Sequence, residues 1–267
     1  MEKKIINIYA NDTKVSMKTE MLLRAKLESS GFEAAKKFSP EGELLVCIGG
    51  DGATLEAIHK YNFPSMPIIG INTGHLGFFQ EIHPAQMDEF ISYYKAGRYS
   101  LQPLSTVRAI TKAKNRTYEH LGLNEIMIKG SYSYSAHLDI FIGGSFIERF
   151  SGDGIIISTP AGSTAYNYSL GGAIIDPRLE ALQVSPIAPM NTTAYRSFTS
   201  SILLPSDISL EIVPKYTRDD VTHIIRDGIE AKYRDVESIK LELSQTVVNL
   251  LRFETYDFWN KVKAKFL

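Results

Sequence analysis

The first hundred residues alternate between apolar runs of strand length and amphipathic stretches of helix length, and few folds accommodate that alternation. Ile5 to Tyr9, Leu44 to Ile48 and Pro67 to Ile71 ("PIIGI") are near-continuous apolar runs. Among them, Met17 to Leu27, Ala53 to Tyr61 and Ala85 to Tyr94 carry apolar residues at helical spacing. A strand without polar alternation has both faces covered, as in a parallel sheet flanked by helices. The pattern predicts βαβ units up to about Arg98. After that the texture changes. Val107 to Lys112, Gly122 to Ile128, His137 to Phe150, Ile155 to Ser158, Ile202 to Leu204, Ser209 to Val213, His223 to Ile225 and Ser238 to Leu243 read as strands, with Gly143-Gly144 as a hairpin turn. The expected fold class is α/β followed by β. An N-terminal βαβ parallel-sheet domain covers 1–98, and a β-rich, sandwich-like domain covers 99–245. A tail helix over 246–267 ("YDFWNKVKAKFL" at its end) packs back on the N-terminal domain.

Composition narrows the classes of function. The 267 residues, 44% hydrophobic, can bury a substantial core. Lys and Arg number 29 against 30 Asp and Glu, so bulk electrostatics draws the chain to neither nucleic acid nor an anionic membrane. No stretch approaches the roughly 18 apolar residues of a membrane span, and "MEKKIIN" lacks the pattern of a signal peptide. The single cysteine, Cys47, excludes an internal disulfide and fits a reducing compartment. The expectation is a cytoplasmic protein with small-molecule partners.

Two clusters carry chemistry. The first is "CIGGDGATLEA", Cys47 to Ala57, between a buried strand and a helix. Gly49, Gly50 and Gly52 allow backbone N–H groups to approach a ligand closely, and a following helix start adds positive partial charge. Neither the P-loop nor the dinucleotide G-x-G-x-x-G pattern is present. A carboxylate beside bound phosphates repels them unless it takes a proton or a metal intervenes. Asp51 is therefore a candidate base for phosphoryl transfer to a hydroxyl. The bland alternative is a tight turn whose aspartate caps the next helix. The second cluster is "SGDGIIISTPAGSTAYNYSLGG", residues 151–172. Small residues again permit close approach, hydroxyls donate and accept as ribose and phosphate require, and a tyrosine offers a flat face to a base. Ordinary helix caps explain one of those hydroxyls but not the run.

Taken together, GGDG at 49–52, Asn124-Glu125 and "GDGIIISTPAGSTAY" at 152–166 resemble the NAD kinases over nearly the full chain. GGDG alone is shared with diacylglycerol and sphingosine kinases, whereas the 152–166 block is far more specific. The resemblance implies ATP-dependent phosphorylation of the adenosine ribose 2′-hydroxyl of NAD and a homo-oligomer, dimer or tetramer. A divalent metal such as Mg²⁺ is expected because the transferring phosphoryl group needs charge neutralisation that one carboxylate cannot supply. The resemblance also implies Asp51 as proton acceptor and Gly52 against the ligand. Asn124 and Glu125 would bond the ribose or adenine, and Asp153 would reach the nicotinamide end. Ala161, Thr164, Ala165 and Tyr166 would line the dinucleotide pocket, followed by Asn167, Tyr168 and Ser169, with Ala188 a looser match. Three positions depart from the family pattern. Ala53 stands where a threonine is common, with Thr54 as a partial replacement for the missing hydroxyl. Ser151 stands where a basic or amide side chain is common. "APMNTTAYR" is a loose match to a segment with histidine and proline.

Other residues have plainer readings. His75, in "NTGHLGF", is a candidate ligand contact because it follows a strand end and a glycine turn. Cys47 reads as an inert buried thiol. Asp227-Gly228 is either a hairpin turn or a ligand position. The basic residues from Arg252 to Lys265 alternate with apolar ones and read as a docked helix rather than an anion site. A lipid kinase of the diacylglycerol kinase type and a non-catalytic NAD(P)-binding sensor are the competing functions. The first needs an apolar acyl site, and the second has no use for Asp51.

Overall fold

The computed structural model describes residues 4–131, 134–193, 196–215 and 221–266. Along the chain it has β1 (Ile5–Ala10), α1 (Lys14–Ser29), β2 (Glu33–Ala34), β3 (Leu44–Gly49), α2 (Asp51–Lys60), β4 (Ile68–Asn72), β5 (Gln80–Ile82), α3 (Met87–Lys95) and β6 (Ser100–Ala113). There follow β7 (Arg116–Gly122), β8 (Glu125–Lys129), β9 (Ala136–Ile142), β10 (Ser145–Gly152), β11 (Gly154–Ser158), α4 (Tyr166–Ser169) and β12 (Ala181–Ile187). The remainder is β13 (Ile202–Pro205), β14 (Leu210–Pro214), β15 (Val221–Arg226), β16 (Ile229–Arg234), β17 (Val236–Arg252) and α5 (Phe258–Phe266). Two compact units emerge, Met1–Pro103 with Val248–Leu267, and Leu104–Val247.

In the first unit the strands run parallel in the order β2-β1-β3-β4, and Leu250 near the end of β17 lies parallel beside Ile68 of β4. All six residues of β3 are buried, as expected for a strand covered on both faces. The core gathers Ile6, Leu44, Val46, Ile48, Ile69 and Ile71 from the sheet with Leu23, Leu27, Phe90 and Ile91 from the helices. Gly49, last in β3, is in register with Asn72, last in β4. The carboxyl ends of these neighbouring strands thus release the GGDG turn and the loop after Asn72 side by side, where open α/β sheets bind ligands.

The second unit is antiparallel. One sheet runs β13-β12-β11-β8-β15-β16, and the other pairs β10-β9-β14-β17 and β6-β7. The inward residues of both sheets form one core, including Val107, Ile126, Ile128, Leu138, Ile140, Ile155, Ile157, Val184, Leu210 and Ile239. The mixed α/β architecture expected from sequence is present, with differences in individual elements. The segment from 246 to 252, expected as the start of a tail helix, completes β17, and the helix begins only at Phe258. The short strands β2 and β5 and the longer β7, β12 and β16 have no counterpart in the sequence reading.

Candidate active site

Asp51 does not cap its helix. The N-cap of α2 is Gly50, which makes no side-chain cap, and Asp51 occupies the first helical position. Its carboxylate instead crosses to the loop after β4, accepting the backbone N–H of Phe78 at Oδ2 (3.0 Å) and of Phe79 at Oδ1 (2.9 Å). The helix-cap alternative is thereby removed. The approach is possible because residue 77 is glycine. A Cβ there would clash with the Asp51 carboxylate and with the Gln80 side chain. The Asp51 side chain remains 27% exposed.

The Phe78-Phe79 segment is gripped from its other side as well. The guanidinium of Arg252 donates to Phe78 O (3.0 Å), Phe79 O (3.4 Å) and Gln102 Oε1 (2.8 Å). It also pairs with Glu81 at 3.0 Å, where both side chains are almost fully buried. The second Glu81 oxygen accepts from Phe253 N–H at 2.8 Å, so the ion pair is hydrogen-bonded at both ends. Thr54 is buried and its hydroxyl accepts from Gln80 Nε2 at 3.3 Å. It therefore points into this network and does not supply the hydroxyl missing at Ala53. His75 is exposed on the same loop, three residues before Phe78.

In the second unit the candidate residues cluster around a turn held by Asp227. That residue sits in the β15–β16 hairpin with φ of 44°. Its carboxylate accepts the N–H groups of Leu123 (2.7 Å), Asn124 (2.8 Å) and Glu125 (3.1 Å). Asp227-Gly228 is the hairpin turn, the first of the two sequence alternatives, and the Asp227 side chain also fixes the Asn124-Glu125 backbone. Thr159 holds the turn from another direction, donating to Leu123 O at 2.6 Å and accepting from Gly162 N–H at 3.2 Å. Gly162 lies so close to the Asn124 carbonyl that a Cβ would overlap it, so the "AGST" segment is pressed against Asn124.

Buried polar atoms without a hydrogen-bond partner include Asn124 Oδ1, Glu125 Oε2 and Asn167 Nδ2. Buried polar groups are normally satisfied, and three of these atoms fall on residues that the sequence singles out as ligand contacts. Asn167 is held by Ser185 Oγ, which donates to its Oδ1 at 2.7 Å. Thr164 is buried, Ala161 and Ala165 are partly exposed, and Tyr166 and Tyr168 are 40% and 39% exposed, with Ser169 also exposed. Asp153 and Ala188 are exposed, and Gly154 pairs with Ile187 across β11 and β12, which brings them to neighbouring strand ends. Ser151 is different. It is fully buried, its Oγ lies 2.9 Å from His137 Nδ1, and Ser197 Oγ bonds its backbone. It supports the strand and offers no surface to a ligand. Within "APMNTTAYR", Ala194 and Tyr195 lie outside the described residues.

Burial, and then the negative charge of Asp227, push the Glu125 carboxyl up to about 8. A folded-state value above the unfolded one means that folding retains a proton. The associated stability is full below the ordinary carboxylate range and is lost as pH rises toward 8. Between about pH 5 and 8, unfolding free energy should fall by up to about 1.4 kcal/mol per pH unit more steeply in the native protein than in Glu125→Gln. Denaturant titrations at several pH values read this directly, and parallel curves would contradict it.

Comparison with known proteins fits this arrangement. Residues 1–99 match the model of the ATP-NAD kinase N-terminal domain and residues 123–253 that of the ATP-NAD kinase C-terminal domain. The chain belongs to the NAD kinase family. The family is one of phosphotransferases, and this member is an enzyme of that class. It is 41% identical over 271 residues to the NAD kinase of Finegoldia magna, covering 99% of this chain and 98% of the relative. It is 34% identical to that of Latilactobacillus sakei over 266 residues, covering 98% and 97%. Two solved NAD kinase family structures share the fold. A yeast NADH kinase complexed with NADH matches with a TM-score of 0.84 at 20% identity over 99% of this chain and 88% of that one. An NAD kinase from Archaeoglobus fulgidus in complex with ATP matches with a TM-score of 0.74 at 22% identity over 97% and 99%.

Proposed function

We propose that this family member transfers the terminal phosphoryl group of ATP to the adenosine ribose 2′-hydroxyl of NAD, giving NADP, with Asp51 as proton acceptor. The observation that carries the reading is the Asp51 carboxylate. It is fixed by two backbone donors at the carboxyl end of β3, it does not cap its helix, and it keeps an exposed edge. A base must be held in one orientation to meet a hydroxyl proton as the bond to phosphorus forms. Asn124 and Glu125 hydrogen-bond the adenosine portion of NAD, using the atoms that lack partners in the folded chain. Tyr166 stacks on a base, and Asp153 reaches the nicotinamide end.

Mg²⁺ enters with the donor as part of a metal–triphosphate substrate. Among the described residues no group of three or more His, Cys, Asp and Glu is gathered, and a magnesium ion carried on phosphate oxygens requires no such cage. The ion neutralises charge on the transferring group, which one carboxylate cannot do. The enzyme works in the cytoplasm as a homo-oligomer. Incubation with NAD, ATP and Mg²⁺ should yield product that an NADP-specific dehydrogenase reduces, and excess chelator should abolish it. Unchanged turnover in chelator would contradict the metal role, and turnover of diacylglycerol in place of NAD would contradict the acceptor.

A further inference from the structure

The C-terminal helix reaches the Asp51 turn, and nothing in the reaction described so far uses it. Phe258 and Phe266 of α5 pack on the Phe78 ring, with centroids 5.7 and 5.9 Å away. Val262 is buried, and Lys261 donates to the Gln80 carbonyl. Four residues on, and so on the same helix face, Lys265 projects toward Asp51. Its Nζ lies 3.7 Å from Asp51 Oδ2 and 4.9 Å from the centre of the Phe78 ring. The ring positions the ammonium from one side. The ion pair is too long to be a hydrogen bond, so the N–H groups of Lys265 are not committed to Asp51. The side chain is 33% exposed.

The two lysines differ in what they can do. Lys261 is buried beside Arg252, and its ammonium is directed at Gln80 and the Tyr256 ring. Burial and then the Arg252 charge bring it down to about 8. Lys265 has one face on Phe78 and the other toward the glycine-rich turn. A triphosphate brought to that turn meets the negative charge of Asp51. A cation beside the carboxylate offsets that repulsion and offers donors to a phosphate oxygen, for which a lysine ammonium is well suited.

We propose that Lys265 is a donor-binding residue, whose ammonium takes a phosphate oxygen of the triphosphate next to Asp51. The inference rests on the NAD kinase reading and adds the C-terminal helix to the site. Lys265→Met should raise the KM for ATP by about tenfold or more, the size expected for a lost charge-assisted hydrogen bond. The KM for NAD should stay within about twofold, and the thermal midpoint should be unchanged. Lys265→Arg, which keeps the charge, should recover most of the loss. Independently, saturating Mg–ATP should protect Lys265 of the unaltered protein from acylation by an amine-reactive ester, mapped by mass spectrometry, whereas NAD should not.

An unaltered protein that makes NADP, beside a Lys265→Met variant with an unchanged KM for ATP, would overturn the inference and leave the NAD kinase reading standing. A loss confined to kcat would overturn it equally. An unaltered protein that makes no NADP would remove the NAD kinase reading, and the acylation experiment would still decide on Lys265: full labelling in the presence of Mg–ATP would overturn its role.

Discussion

Asp51→Asn should lower kcat by about 10²–10⁴, the usual cost of removing a positioned base, while NAD binding changes by less than about tenfold. The ribose hydroxyl is a very weak acid, so its proton must leave as phosphorus is captured. An unstrained aspartate is a poor base in water. The loose transition state of phosphoryl transfer lets the proton move late, and fixed orientation then counts as much as basicity. That orientation comes from the Phe78 and Phe79 N–H groups. The same contacts add a stability effect. Asparagine keeps one acceptor, but its NH₂ then faces a backbone N–H, which should cost about 1–3 kcal/mol. The two effects separate experimentally, because kcat is read well below the unfolding transition. A folded Asp51→Asn variant with near-native kcat would reduce Asp51 to an anchor for the 78–79 loop.

The second large effect is expected at Arg252. Arg252→Ala leaves Glu81 as a buried, uncompensated charge and strips donors from the Phe78 and Phe79 carbonyls. Breaking a buried pair from one side typically costs about 3–5 kcal/mol. The double replacement Arg252→Met with Glu81→Leu removes both charges and keeps similar volume, so much of the stability should return. The activity should not, because the loop that orients Asp51 has lost its second grip. Denaturation midpoints and kcat for both variants test this. A single variant within about 1 kcal/mol of the native protein would show that the pair is not a keystone of the loop, as would full activity in the double variant.

The sequence exposes the strands of the parallel sheet because burial on both faces leaves a plain apolar signature, as in Leu44 to Ile48. It hides β12, whose buried run Ala181–Ile187 includes Gln183, Ser185 and Pro186. It hides β16 because that strand is largely exposed and alternates charge with apolar residues. The end of β17, with Val247, Val248, Leu250 and Leu251, suits a helix or a strand equally, since short apolar runs do not fix the period. Its pairing with β4 decides the matter, and that contact spans about 180 residues of chain. The site shows the same division. The glycine-rich turns and the hydroxyl-rich block are local and legible. The grip of Phe78 and Phe79 on Asp51, the three bonds from Asp227 and the arrival of Lys265 are long-range, and no local spacing encodes them. Ser151 shows the complementary case: its place in the motif is visible in sequence, but its burial against His137 is not.

The most direct test is the position of the phosphate on the product. Phosphorus NMR of the reaction of the unaltered protein with NAD, ATP and Mg²⁺ should show a new phosphomonoester on the 2′-oxygen of the adenosine ribose, formed in step with loss of the terminal ATP phosphate. Phosphate at any other position, or ATP consumption that releases only inorganic phosphate, would contradict transfer to the 2′-hydroxyl and with it the role assigned to Asp51.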